Sequence, residues 1–278
     1  DRCAISFNST CSFNEMTRLL SSRSLLILKG EQTLQLLQGI VTRDVRILQE
    51  KSVAASLILD KNGRIADEIV MRKRENEVLM ECASQRRILL KNMLERYRLR
   101  KKVTIEESDE SVLWSEEREE EDAVIDPRVE ALGWRVYRRA NGEKEGDEEY
   151  REKRYSLGVG EGEELIGLLP WHSNGDLLGQ VSANKGCYVG QELTARTATQ
   201  GLLRRRIVPF TTDSTATGDV LHPDGKKVGK IVASSSSRGL VMLSLSSIDK
   251  DLRSSNGISI LPSLPNWMKG VDLSKVHV

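Results

Sequence analysis

Long apolar runs are missing from this chain: none of its 278 residues falls in a stretch of about 18 hydrophobic positions, so no membrane-spanning helix is expected. Surplus charge is missing too. Lys and Arg number 42 against 41 Asp and Glu, a net of +1, so no global field favours nucleic acid or an anionic membrane, and a charged partner has to be met by a local patch. The four cysteines, Cys3, Cys11, Cys82 and Cys187, include no C-x-x-C pair and no Cys/His cluster at zinc-ligand spacing. That excludes a self-contained metal site and suits a reducing compartment better than a disulfide framework. Glycines occur at 158, 160 and 162, but no G-x-G-x-x-G follows a strand and no Walker pattern exists, which removes nucleotide binding. His172, His222 and His277 lie far apart in no hydrolase motif, and no internal repeat is evident. The length allows two or three compact units.

What the chain does have is concentrated in residues 185–196, Lys-Gly-Cys-Tyr-Val-Gly-Gln-Glu-Leu-Thr-Ala-Arg. Gly186 and Gly190 bracket Cys187 and Tyr188, and glycine permits positive φ or close backbone approach, so the thiol is expected on a tight turn where a partner can reach it. Lys185 and Arg196 are near in sequence, and positive charge beside a cysteine favours the thiolate, the nucleophilic and metal-binding form. The plain alternative is a buried, inert cysteine. A Cys187–His172 dyad is the nucleophilic alternative.

Taken in order, Ser24 to Leu28 reads as a strand, and Leu34 to Leu37 as a helix ending at Gly39. Val53–Leu59 and Ile65–Met71 read as a hairpin through Asp60-Lys61-Asn62-Gly63, where Asn-Gly suits a two-residue turn. Glu77 to Cys82 is a further strand. Ser84 then caps a helix whose Ile88, Leu89, Met93, Leu94 and Tyr97 form one apolar face, before a strand over 101–105. Residues 115–122 and 141–153 are so charged that both read as exposed connections, with a strand over Trp134–Tyr137 between them. Arg204, Arg205 and Arg206 open an all-β unit over 203–262, in which His222-Pro223-Asp224-Gly225 makes a turn; they are suited to holding a carboxylate or phosphate, or to alternating between solvent and interface. Residues 263–278 read as a loose tail. Asp67 and Glu68 are adjacent on a strand and so point to opposite faces, which rules them out as a paired acid and base; a solvent-facing strand end is the bland reading.

Lys185 to Glu192 resembles the K-G-C-Y/F-x-G-Q-E signature of the YgfZ/GcvT family, and the likeness continues through Asp126-Pro127-Arg128, Gly133-Trp134-Arg135, Arg154-Tyr155, Glu161-Gly162, Pro170, Asn174, Val181 and Val228-Gly229-Lys230. His172 departs from it, standing where glutamate is usual. The likeness runs from about Leu25 to Leu245 and is nearest to the mitochondrial branch of cluster assembly factors. It implies an α+β fold, T-protein-like, of discontinuous ferredoxin-like units over 24–202 plus a C-terminal β-barrel over 203–262, with 1–23 a tail or presequence remnant. It further implies an iron-sulfur cluster assembly factor of the mitochondrial matrix that helps mature [4Fe-4S] proteins with A-type carriers and is monomeric alone. A [2Fe-2S] or [4Fe-4S] cluster would be shared through Cys187, with Gln191, Glu192 and Arg196 orienting the loop. A tetrahydrofolate pocket at Asp67, Glu68 and Arg196 is implied as well. The rival reading is a folate-dependent aminomethyltransferase with Asp67 or Glu68 as the catalytic carboxylate, and a third is a folate-binding regulator without catalysis.

Overall fold

Continuous apolar strands build the first sheet. The computed structural model describes residues 16–200, 202–248 and 250–277. An antiparallel sheet runs Val53–Leu59, Ile65–Lys73, Glu77–Ala83, Arg23–Lys29, Thr104–Glu107 from edge to edge. Successive side chains on a strand face opposite ways. Leu26, Leu28, Met80 and Cys82 therefore lie with Leu36, Leu37, Leu90 and Leu94 of the helices Thr33–Gln38 and Arg87–Arg98. Leu25 and Leu79 face the other way, into Val112, Trp114 and Tyr137 of a second sheet ordered Lys144–Glu145, Arg18–Leu19, Ser111–Ser115, Trp134–Arg138, Val124–Ile125. Because both faces are covered, the central strands are nearly all apolar instead of alternating with polar residues.

Six strands, Arg205–Thr211, Asp219–Leu221, Lys227–Ser234, Arg238–Ser244, Leu252–Ser254 and Ser259–Pro262, close into a barrel around Val208, Phe210, Val220, Val241, Leu243 and Ile260. The expected barrel is present. The expected loose tail is not: Met268 and Leu273 are buried in the barrel's core, Trp267 donates its indole N–H to the Leu157 carbonyl at 2.8 Å, and Leu203 N–H bonds the Ser274 carbonyl at 2.7 Å. Arg206, fully buried, ties this strap down by grasping Asp176 at 2.7 and 2.8 Å and the carbonyls of Leu273 and Lys275. Its bidentate carboxylate contact is thus internal to the fold.

Four further expectations are corrected. The tail over 1–23 is shorter, since Arg18–Leu19 is a strand and Arg23 begins the next. The hairpin connection is longer than two residues: Asp60 Oδ1 accepts from the N–H groups of both Asn62 and Arg64, and the register shifts between Ile58 and Leu59. Ser84 does not cap the helix; its hydroxyl donates to the Ser21 carbonyl across a 3-10 turn, and the buried stripe is Leu90 and Leu94 at i, i+4, leaving Ile88, Leu89 and Tyr97 exposed. Residues 141–153 contain the helix Asp147–Ser156, started by Asp147, Glu148 and Glu149 against the positive end of its dipole and held by buried Tyr150, Arg154 and Tyr155.

Between the two sheets lies a sealed ionic cluster. Arg23 binds Glu81 at 2.7 Å and Glu68 at 3.0 Å; Arg128 binds Asp126 at 2.7 Å, Glu161 at 2.6 Å and Glu68 at 3.2 Å; Arg135 binds Glu81 at 3.2 Å and Asp126 at 3.1 Å. Arg154 adds Glu161 at 3.4 Å and Glu164 at 2.8 Å, while the Tyr137 and Tyr150 hydroxyls donate to Glu81 and Glu161. Burial would raise the carboxyl groups, but Arg128 and Arg135 hold Asp126 below its usual range, and Arg23, Arg128, Arg154 and Arg135 hold Glu161 well below it. A depressed folded-state pKa gives stability that is complete above the ordinary carboxylate range and is lost as pH falls through the folded value. Removing one member leaves a buried charge unpaired, so Arg135→Ala is expected to lower unfolding free energy by about 3–5 kcal/mol and to shift acid unfolding to higher pH. Urea melts against pH check this; a loss below about 1 kcal/mol, the value of a surface pair, would refute it.

Candidate functional site

The Cys187 segment lies in the long irregular stretch between the 3-10 helix Gly162–Leu165 and the helix Gln191–Gln200. It is fixed from both ends. Ser182 N–H bonds the Thr42 carbonyl at 3.1 Å and Ser182 Oγ accepts from Asp44 N–H at 3.1 Å; further along, Val189 N–H bonds the Gly39 carbonyl at 3.2 Å. Lys185 Nζ donates to the carbonyls of Val41 and Arg43 and lies 4.9 Å from the Tyr188 ring centroid. Its charge therefore holds the loop to residues 41–43, a use that proximity in sequence did not reveal.

The two bracketing glycines differ. Gly190 has φ +77, and a Cβ there would stand 2.3 Å from the Asp60 carbonyl oxygen, so the loop presses on the hairpin connection where only glycine fits. Gly186 has open space around it. Gln191 turns back so that its Oε1 accepts the Tyr188 N–H at 3.0 Å, the orienting role expected of it. Glu192 and Arg196 are exposed and make no ion pair among the described residues.

Held this way, Cys187 is exposed, in irregular backbone just before the turn at Val189 and Gly190 and not on a tight turn itself. No group of three His, Cys, Asp or Glu side chains among the described residues is placed to hold a metal ion. No hydrogen bond joins Cys187 to His172 among them either; the His172 carbonyl accepts from Ile207 N–H. Cys82 is the opposite case, fully buried beside Ser24 Oγ at 3.7 Å, with burial pushing its thiol up to about 11. Cys3 and Cys11 lie outside the described residues. Behind the loop a pocket of about 360 Å³ is lined by Trp171, Val181, Lys185, Tyr188, Thr194 and Ala198. It offers an apolar recess next to the thiol.

The three residues assigned to folate are not gathered. Asp67 is 4% exposed and clamped by Arg86 at 2.6 Å; Glu68 is 1% exposed and belongs to the ionic cluster, so neither is a solvent-facing strand end. They do face different partners, as adjacent strand residues must. Burial raises the carboxyl groups of both. A separate cleft of about 530 Å³ runs past Arg43, Lys51, Val53, Asp126, Arg128 and Leu178, and none of Asp67, Glu68 and Arg196 lines it. Sequence reasoning missed Arg43 and Lys51, which carry no motif around them.

Comparison with known proteins agrees with this geometry. Residues 204–270 match the family model described as CAF17, C-terminal beta-barrel domain. The chain is 30% identical to the human protein named iron-sulfur cluster assembly factor IBA57, mitochondrial, covering 89% of this chain and 84% of that one. This chain belongs to the GcvT/YgfZ-like IBA57 family. The mouse IBA57 protein is 27% identical with the same coverage, and the Dictyostelium discoideum homologue 28% identical over 68% of this chain and 61% of its own. Among solved structures, the glycine cleavage system aminomethyltransferase T from Bartonella henselae superposes with a TM-score of 0.68, covering 95% of this chain and 89% of that one at 11% identity. That likeness establishes the fold of this IBA57-family chain.

Two outcomes follow for the loop. Burial lowers the Lys185 amine from its usual 10.5 to about 8. The unfolded chain then binds the proton that the folded one has released, so stability rises with pH between about 8 and 10.5, a slope that Lys185→Gln should remove in denaturant melts against pH. Gly190→Ala should destabilise by more than about 1 kcal/mol and raise hydrogen exchange across 185–196, because the left-handed φ and the Asp60 clash add. Unchanged exchange would show that the loop is not fixed through Gly190.

Proposed function

We propose that the protein is an iron-sulfur cluster assembly factor of the mitochondrial matrix, working with A-type carriers toward [4Fe-4S] proteins. The observation that carries this reading is the one exposed thiol among the described residues, on a firmly tied loop, with no further group of ligands beside it among them. Iron-sulfur clusters require several thiolates. A chain presenting one must share the cluster, as cargo, with a partner that brings the rest. The relatives' names, which give cluster assembly and a mitochondrial location, support the same reading. Gln191 and Lys185 set the loop's course, and the pocket at Trp171 and Tyr188 gives the partner's apolar side chains a place beside the thiol.

Aminomethyl transfer needs a carboxylate free to act beside folate. Here Asp67 is bonded to Arg86 and Glu68 to two arginines, and no step is routed through folate. The fold is shared with the aminomethyltransferase; the free carboxylate is not offered.

Cys187→Ser is expected to fold normally and to abolish cluster sharing with an A-type carrier, read as the visible spectrum of the anaerobic mixture, and to lower aconitase activity in cells. Cys82→Ser should instead lower the melting temperature and leave sharing intact. Asp67→Asn should spare aconitase. Undiminished cluster absorbance with Cys187→Ser, or direct loss of glycine cleavage in Asp67→Asn cells with lipoylation intact, would replace the assembly reading by the enzymatic one.

A further inference from the structure

The helix Arg87–Arg98 and the turn after it carry charge out of proportion to a chain of net +1. Half of the cations are engaged: Arg86 with Asp67, Arg87 and Lys91 with Glu107, Arg98 with Glu95. Arg96, Arg100, Lys101 and Lys102 have no carboxylate within salt-bridge distance among the described residues. Large apolar side chains stand among them in water, Ile88 at 63%, Leu89 at 59%, Tyr97 at 40% and Leu99 at 77% exposure. Leu99 is also held at φ +51, a region that ordinary side chains avoid, with its side chain projecting outward. The fold therefore holds an aliphatic residue at a strained position without burying it. Strain of this kind concentrates where a segment has a use besides folding.

We propose that this face docks on an anionic membrane surface, its free cations meeting lipid phosphates while Ile88, Leu89 and Leu99 enter the headgroup layer. Mixed Lys/Arg and bulky aliphatic residues on one exposed helix are the composition that lies in a lipid interface. None of these side chains lines the pocket behind Cys187 or the cleft at Arg43 and Lys51, and a fluid surface of phosphates needs no recess to seat on. The strand order separates the two surfaces. The helix packs on Arg23–Lys29 and Thr104–Glu107, toward one edge of the first sheet, whereas the thiol loop is tied to the end of Val53–Leu59 at the opposite edge, three to four strand spacings or roughly 14–19 Å away. A molecule seated through the helix keeps Cys187 free for its partner. This goes beyond the assembly reading and does not depend on it.

Vesicle flotation with the full chain tests it, using phosphatidylcholine alone, phosphatidylcholine with about 30% phosphatidylglycerol, and soluble polyglutamate as a competitor, at low and high salt. Binding to the anionic vesicles that weakens with salt, and that falls about thirtyfold in Arg96→Ala/Arg100→Ala, is the expected result. Leu99→Gly should weaken binding while raising the melting temperature, since glycine accepts the positive φ; a merely structural leucine would not give that pair of changes. Ile88→Ser/Leu89→Ser, exposed and outside the core, provides a second variant whose fold is not at risk. Absence of anionic-vesicle binding, equal binding to neutral vesicles, or binding unchanged in the arginine variant would overturn the proposal. Capture by polyglutamate with no vesicle binding would overturn it too, reassigning the face to an acidic protein.

Discussion

Arg23, Arg128, Arg135 and Arg154 lie between two five-stranded sheets with Glu68, Glu81, Asp126 and Glu161, all largely cut off from water. Desolvating so many charges is tolerable only because each is paired, and Glu81, Arg128, Arg135 and Glu161 are hydrogen-bonded again by Tyr137 or Tyr150. The members come from both sheets and from the segment after the helix Asp147–Ser156, so the cluster forms only when all three have met. That makes it a condition on the arrangement of the sheets more than a reservoir of stability. The space near Glu68 between the two sheets is filled by guanidinium groups, and a cleft opens past Arg128 toward Arg43 and Lys51.

The loop inherits its rigidity from that frame. Val53–Leu59 and the Asp60 turn are held by the sheet, Gly190 presses on Asp60, and Lys185 reaches the carbonyls of Val41 and Arg43. A thiol on such a loop is exposed and held in place, which is what the proposed sharing of a cluster with a partner asks of it.

Much of this was legible in the residues. Short apolar runs marked the strands of the first sheet, turn residues between strands marked the barrel, and the glycine-bracketed Cys187 marked the loop. The ionic cluster was not legible, because Arg23 sits in a serine-rich segment that resembles a leader, and because charges that pair across more than a hundred residues look, one at a time, like solvated surface. The helix Asp147–Ser156 escaped for the same reason: its buried stripe consists of Tyr150, Arg154 and Tyr155 amid acids and bases. The final strap was misread since its few apolar residues, Trp267, Met268 and Leu273, follow no period; they fill the barrel one at a time. Lys185 was singled out for its charge beside the thiol, whereas its amine acts on the backbone of residues 41 and 43.

The central claim is that Cys187 sulfur bonds directly to the iron of a cluster completed by a carrier. Its most direct measurement is pulsed electron-nuclear double resonance on the reduced, mixed complex, with cysteine Cβ carbon-13 placed in this chain alone and Cys3 and Cys11 replaced by serine. The account predicts a carbon-13 coupling of the size expected for an iron-bound cysteine, absent when Cys187 is serine. A cluster formed in the complex without that coupling would contradict it.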